Sequence, residues 1–441
     1  MFDELKNRVN DLFPTVLEEL EDLVRIPSVS ATDPAGVRRS AEHVAGLLEA
    51  SFFENVQLLE IDGAHPAVFG EIAAPDGAPT VLLYAHHDVQ PAGFGWTEDP
   101  WEPRHVGGRL FGRGSSDDKA GIVTHTAAVR AHNGRPPVGV KVFIEGEEEI
   151  GSANLVAFLE AYGDLLASDV IVIADAGNWR VGVPSLTVSL RGLVDCVVEV
   201  RTLENAVHSG MFGGVFPDAL TVLSRLLATL HDGTGNVAIE GLHIGPEAGL
   251  DLTEEEVRIQ AGALPGVEII GDGSLEAKTW SRPSVSILGI DAPPVEGAVN
   301  AIIPSARAKV SLRLAPGDDP ARAMGALVNH LESHVEWGAH VEVIRGASGE
   351  AFELDTSGSA YDAFRSAFSE VWGGAPVEMG VGGSIPFVAA FSEAYPDAAI
   401  LLTGVGDPGS AIHGPNESVE VEDLRKACQA EAIALTLLAQ P

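Results

Sequence analysis

At 441 residues the chain exceeds what one ordinary hydrophobic core supports, so two domains are expected. Its 45% hydrophobic, 6% aromatic and 21% charged residues exclude collagen, a disulfide scaffold and a disordered polymer. Acidic residues outnumber basic ones 64 to 27, and the net charge of −37 repels phosphate backbones and anionic lipid, so neither nucleic acid nor a membrane is expected as a partner.

The N-terminal segment carries charges throughout and has no continuous apolar stretch of the signal-peptide kind, and nowhere do 18 uncharged apolar residues follow one another. Its Leu5, Val9, Leu12, Phe13, Val16, Leu20 and Leu23 recur at helical spacing, and a second helix is expected from Val37 to Ala50. Short β-rich runs follow: VQLLEI from Val56, TVLLYA from Thr80, VGVKVFIE from Val138 and DVIVIA from Asp169. Continuous apolar strands separated by helices predict an α/β layer, a mostly parallel sheet with helices on both faces.

Near Leu190 the texture changes. The strands VDCVVEV, SVSILGI, AKVSLRL and HVEVIR alternate more clearly, with helical patterns at Asp218 to Leu230 and Pro320 to His334 among them. This predicts a separate α+β unit with a half-exposed sheet, and the Gly-, Pro- and acid-rich stretch from Asp232 to Pro283 reads as a long surface excursion. After about residue 350 the α/β texture returns, ending in AAILLTGV and a helix from Val421 to Leu438. The expected division is therefore residues 1–187 and 351–441 as one domain, with 188–350 inserted into it. Cys196 and Cys428 both lie in apolar patterns, which predicts buried structural thiols and a reducing, cytoplasmic location.

The chemistry-bearing residues gather at strand ends of the outer domain. His86 and Asp88 follow TVLLYA, where an α/β sheet presents its ligands, and side chains two apart on an extended segment share a face. A carboxylate so placed can fix the tautomer of a metal-bound imidazole. Asp117 and Asp118 stand in the turn GRGSSDDKAG before a helical stretch, where an N-cap is an equally good reading. Glu147, Glu148 and Glu149 follow another apolar strand, and three like charges there repel unless a cation or solvent intervenes. Asp175 follows VIVIA, and His413 follows AAILLTGV in AIHGPNES. Together these supply two imidazoles and several carboxylates, which suits a binuclear divalent-metal site with a carboxylate left over as a base.

In this order YAHHDVQP, GRGSSDDKAG, EGEEEIGS, Asp175, VHSGMFGG, GGSIP and AIHGPNES resemble the M20 metallopeptidase family, and most of all its carnosinase-like dipeptidase branch. The resemblance implies that His86, Asp117 and Asp175 hold one metal and that Asp117, Glu149 and His413 hold the other, with Asp117 bridging. It implies that Asp88 orients His86, that Glu148 is the general base, and that the Asp117–Asp118 peptide is cis. It makes the inserted unit a lid and dimerisation domain whose His208 reaches the partner's active site in a homodimer and stabilises an oxyanion. Arg313 in VSLRLAP becomes the binder of a substrate carboxylate. Asn300 becomes a lid contact, and Gly383 and Ser384 approach the substrate backbone. The implied cofactors are two divalent ions, zinc first, with manganese or cobalt accepted by the same donors. One departure is visible: MGVGGSIP carries Gly380 and Val381 where this branch often has an arginine.

The expected activity is hydrolysis of an amide bond in dipeptides or very short peptides by a metal-activated water. The alternative is an N-acyl amino acid amidohydrolase of deacetylase or desuccinylase type, which fold and metals do not separate from a dipeptidase. GGSIP favours the first, because the deacylases commonly read GGT there. A catalytically dead metal-binding scaffold is disfavoured by the intact Glu148.

Overall fold

The N-terminal apolar stripe folds as one helix, Phe2–Val24, with Leu5, Val9, Phe13, Val16, Leu20 and Leu23 buried. In the computed structural model, which describes residues 2–440 apart from Ala248, Ser384 and Ile385, the chain forms two units. The first comprises Met1–Val188, Leu354–Met379 and Pro386–Pro441, and the second Ser189–Glu353 with Gly380–Ile385.

The first unit is built on a mixed sheet. Its strands run in the spatial order Glu54–Leu59, Ala67–Ile72, Gly139–Glu145, Thr80–His86, Val170–Ile173, Ala399–Leu402 and Ser185–Leu190. The central four, from Gly139–Glu145 to Ala399–Leu402, are parallel, and the strands outside them pair antiparallel. The α/β class is thus as expected, with parallel pairing confined to the middle of the sheet. Burial on both faces explains the unbroken apolar runs. Val81, Leu83 and Ala85 enter the core shared with the helices Phe2–Val24, Lys119–Ala131 and Val421–Leu438. On the opposite face Tyr84 stacks on Phe387 at 4.7 Å, beside Phe143 and Phe391.

The second unit has an antiparallel sheet ordered Ser284–Asp291, Ser305–Leu314, Gly192–Arg201, His340–Gly349. Alternate residues Val194, Cys196, Val198 and Val200 meet the helices Ala219–Ala228 and Pro320–Ser333 in a core of their own. The excursion between residues 232 and 283 holds two short helices, Glu254–Ala261 and Leu275–Trp280. The first of these buries no residue and stands on its Thr253–Glu256 capping box. Both cysteines are buried and unpaired, one in each unit. Among the described residues no helix is long and apolar enough to cross a membrane.

Candidate metal centre

The four parallel strands point their carboxyl ends the same way, and the loops leaving those ends carry the candidate ligands. His86 is the last residue of Thr80–His86. Glu148 and Glu149 open a single 3₁₀ turn just after Gly139–Glu145. Asp175 lies two residues beyond Val170–Ile173, and His413 sits in the loop after Ala399–Leu402 with a φ of 61°. Asp117 and Asp118 precede the helix Lys119–Ala131, whose N-cap is Asp118, and the peptide between them is cis.

These side chains converge. Asp117 offers one oxygen to each imidazole: Oδ1 lies 2.9 Å from His86 Nε2, and Oδ2 lies 3.0 Å from His413 Nε2. Glu149 Oε2 is also 3.0 Å from His413 Nε2, while Asp175 Oδ1 and Glu148 Oε2 each stand 3.9 Å from His86 Nε2. Two triads have donor atoms all within 4.8 Å of one another, His86–Asp118–Asp175 and Asp117–Glu149–His413. From sequence Asp118 reads, with Asp117, as an N-cap candidate and not as a ligand. In the fold it caps its helix through Gly121 N at 3.3 Å while its buried Oδ2 finds no hydrogen-bond partner among the described residues. Asp88 serves both sides of the centre. One of its oxygens is 3.4 Å from His86 Nδ1, and the carboxylate accepts the backbone N–H groups of Glu148 at 3.2 Å and Glu149 at 3.1 Å.

The second unit carries its own candidates. His208 ends the two-residue strand Val207–His208, which pairs with Ala301–Ile302, so Asn300 is its neighbour. His208 Nδ1 accepts the Gly210 N–H at 3.1 Å, which places the proton of the neutral ring on the exposed Nε2. Arg313, on Ser305–Leu314, has neither an ion pair nor a hydrogen bond from its side chain among the described residues. Beside it lies a second guanidinium, Arg191, which is pushed down to about 10 by burial and by the like charge of Arg313. Gly383 has open space where a side chain would stand, its nearest neighbour being Val381 Cγ1 at 4.0 Å. Ser384 lies outside the described residues.

Residues 82–436 match the model of peptidase family M20/M25/M40. The chain belongs to the M20 peptidase family. A cysteinylglycine-S-conjugate dipeptidase of Corynebacterium striatum is 37% identical to this M20 chain over 364 residues, 80% of each sequence. The human Beta-Ala-His dipeptidase is 30% identical over 80% of this chain and 74% of its own length. The crystal structure of human carnosine dipeptidase 1 superposes with a TM-score of 0.81 at 25% identity, covering 100% of this chain and 99% of that one. The expectation of an M20 metallopeptidase of the dipeptidase branch is thereby borne out, and the N-acyl amino acid amidohydrolase alternative is not favoured.

The electrostatics of the M20 site are those of a crowd of acids. Burial, with the Asp117, Glu149 and Asp88 carboxylates added, pushes Glu148 up to about 7 against the opposing His86. Burial likewise drives Asp175 and Asp118 well above the ordinary carboxylate range. Hydrogen bonds accepted by the Asp117 and Glu149 carboxylates hold His413 up at about 10. So many buried carboxylates ionise together only if positive charge is added among them.

Sequence reasoning missed the residues that hold the ligands. Gln90 donates its backbone N–H to Glu149 Oε1 at 3.0 Å and its side-chain amide to Glu149 Oε2 at 2.9 Å. Glu417, fully buried, accepts the backbone N–H groups of Gly114, Ser116 and Asp117 at 3.0 to 3.1 Å. The only signal for Glu417 was its place in AIHGPNES, four residues after His413.

Proposed function

We propose that this chain is a two-metal dipeptidase acting on dipeptides with a free C-terminal carboxylate. The observation that carries the reading is Asp117, whose two oxygens are divided between His86 and His413 while Glu148 stands beside them outside both triads. The donor set fits two divalent cations: it is made of imidazole and carboxylate only, and it contains a buried carboxylate oxygen without a partner among the described residues. His86 and Asp175, with Asp117 or Asp118, would hold one ion; Glu149 and His413, with Asp117, would hold the other. When bound, such ions acidify water and polarise a carbonyl. Zinc suits the imidazoles, and manganese or cobalt suits the carboxylates.

The chain's own groups do the rest. Glu148, beside His86 but outside both triads, takes a proton from the attacking water and returns it to the leaving amine. Asp88 keeps His86 in the tautomer that presents Nε2 to the centre. The uncompensated Arg313 guanidinium receives the substrate carboxylate, with Arg191 adding positive field. His208 donates Nε2–H to the developing oxyanion, with Asn300 beside it and the turn at Gly383 and Ser384 against the substrate backbone. We propose that His208 serves the active site of a second copy. The exposed edge strand Ser284–Asp291, with Ile287, Leu288 and Ile290 in solvent, supports a homodimer through the inserted unit. The unpaired buried cysteines support a cytoplasmic location.

The deciding experiment is a substrate panel with added zinc, manganese or cobalt. It sets cysteinylglycine, its S-conjugates and β-alanyl-histidine against N-acetyl and N-succinyl amino acids. Turnover of the dipeptides is expected; preference for the N-acyl compounds overturns the reading.

A further inference from the structure

The loop bearing Asp117 and the loop bearing His413 are far apart in sequence, yet one buried ion pair joins them. Glu417 Oε2 accepts Arg113 Nη1 at 2.6 Å and Gly114 N at 3.1 Å, and its Oε1 accepts Ser116 N and Asp117 N. Neither side chain sees solvent: Arg113 is 1% exposed and Glu417 0%. The same guanidinium donates Nη2 to Gly414 O at 3.2 Å, directly after His413, and to Pro91 O at 3.4 Å, directly after Gln90. It also lies over the Trp96 ring at 5.5 Å.

We infer that Arg113 and Glu417 are positioning residues for the binuclear centre, a clamp that sets the separation between Asp117, His413 and the Gln90–Glu149 contact. The inference rests on the ligand assignment proposed above. A hydrophobic pair of similar volume would fill the space, but it would leave three backbone N–H groups buried and unpaired. The four donors converging on Glu417 require a carboxylate with both oxygens accepting. A glutamine must turn its NH₂ toward two of them. Either the Ser116–Asp117 pair or the Arg113–Gly114 pair is then lost, and with it the placement of one ligand loop.

The test is made on full-length metal-free protein titrated with cobalt, read by calorimetry and by the visible absorption of the bound ion. Wild type should take up two ions per chain, and His413→Ala should lose one of them. If either fails, the ligand assignment is wrong. With both upheld, Glu417→Gln should bind the ion at His413 ~10- to 100-fold more weakly, with a changed cobalt spectrum, at temperatures where the protein is fully folded. Arg113→Lys keeps the cation but loses the fork to Gly414 and Pro91. It should weaken that ion less than Glu417→Gln and alter the same spectrum, and it decides the matter if Glu417→Gln does not fold. Arg130→Met, which removes an ion pair with Glu19 away from the centre, should lower the melting temperature and leave both spectrum and affinity unchanged. Wild-type cobalt affinity and spectrum in the folded clamp variants would overturn the inference, because a merely stabilising ion pair moves the melting temperature alone.

Discussion

The residues assigned to chemistry in the two units are held in opposite ways. In the first unit His86, Glu149 and Asp117 stand in a web of buried hydrogen bonds: Asp88 grips His86 and the Glu148–Glu149 backbone, Gln90 grips Glu149, and Glu417 grips the turn before Asp117, while the exposed His413 is met by Asp117 and Glu149. In the second unit His208 is exposed and fixed only through Gly210, while Arg313 has no charged partner among the described residues. Groups that must meet cations at fixed distances need a rigid frame before any ligand arrives. Groups proposed to meet a substrate or a second copy keep donors without a partner among the described residues, as an external partner requires. Unmet polar capacity thus points to an external partner in both units, the Asp118 oxygen in the first as much as Arg313 in the second.

The sharpest way to break this contrast is Glu148→Gln. Glu148, the proposed base, stands outside both triads, so the variant should keep its metals while turnover falls ~10²- to 10⁴-fold. Metal analysis alongside steady-state kinetics checks both halves, and a protein that loses its ions together with its activity makes Glu148 a ligand.

His208→Ala tests the other side, with an expected loss of ~10²- to 10³-fold in kcat and intact metal binding. Mixed with Glu148→Gln and allowed to exchange subunits, it should regain activity, at most about half of wild type per mixed dimer, since one of the two sites then has both groups. No recovery after proven exchange would place His208 in its own chain's chemistry or in none.

The smallest effect concerns the frame alone. His125 Nδ1 lies 2.8 Å from Glu431 inside the helical layer. Burial pulls His125 down, but the Glu431 carboxylate outweighs it, and the folded value is raised above 6.5. A raised histidine stabilises fully below its unfolded value, and that contribution fades as pH rises through the folded one. Metal-free wild type should therefore exceed Glu431→Gln in melting temperature by a few degrees near pH 6, and the gap should narrow toward pH 9. A gap that widens with pH would mean that the imidazole is neutral in the fold.

Much of this was written in the chain. Apolar runs such as TVLLYA gave the buried strands, and the polar residues just beyond them gave His86, Glu148, Glu149, Asp175 and His413. Strand direction was less legible: a run buried on both faces looks alike whether its neighbour is parallel or not, so the antiparallel flanks such as Ala67–Ile72 were invisible. Arg113 and Glu417 were hidden because their partnership spans 304 positions and each looks like an ordinary loop charge. The cluster of Asp118 with His86 and Asp175 was hidden by adjacency to Asp117, since only the fold shows that these donors gather and that one buried Asp118 oxygen has no hydrogen-bond partner among the described residues.

Gly380 is, with Val381, one of the two residues standing where members of the resembling branch often carry an arginine. A Cβ there would stand 2.7 Å from Ser189 Oγ and 2.8 Å from Trp280 Cβ. The serine hydroxyl can rotate away, but the Trp280 Cβ is anchored to its backbone and cannot. Restoring the arginine by a single change would therefore displace the Trp280 backbone. A protein engineer who wants a side chain at position 380 must first shift that tryptophan's anchor. Packing at a single backbone position thus decides which side chains the strand leading into the GGSIP turn can carry.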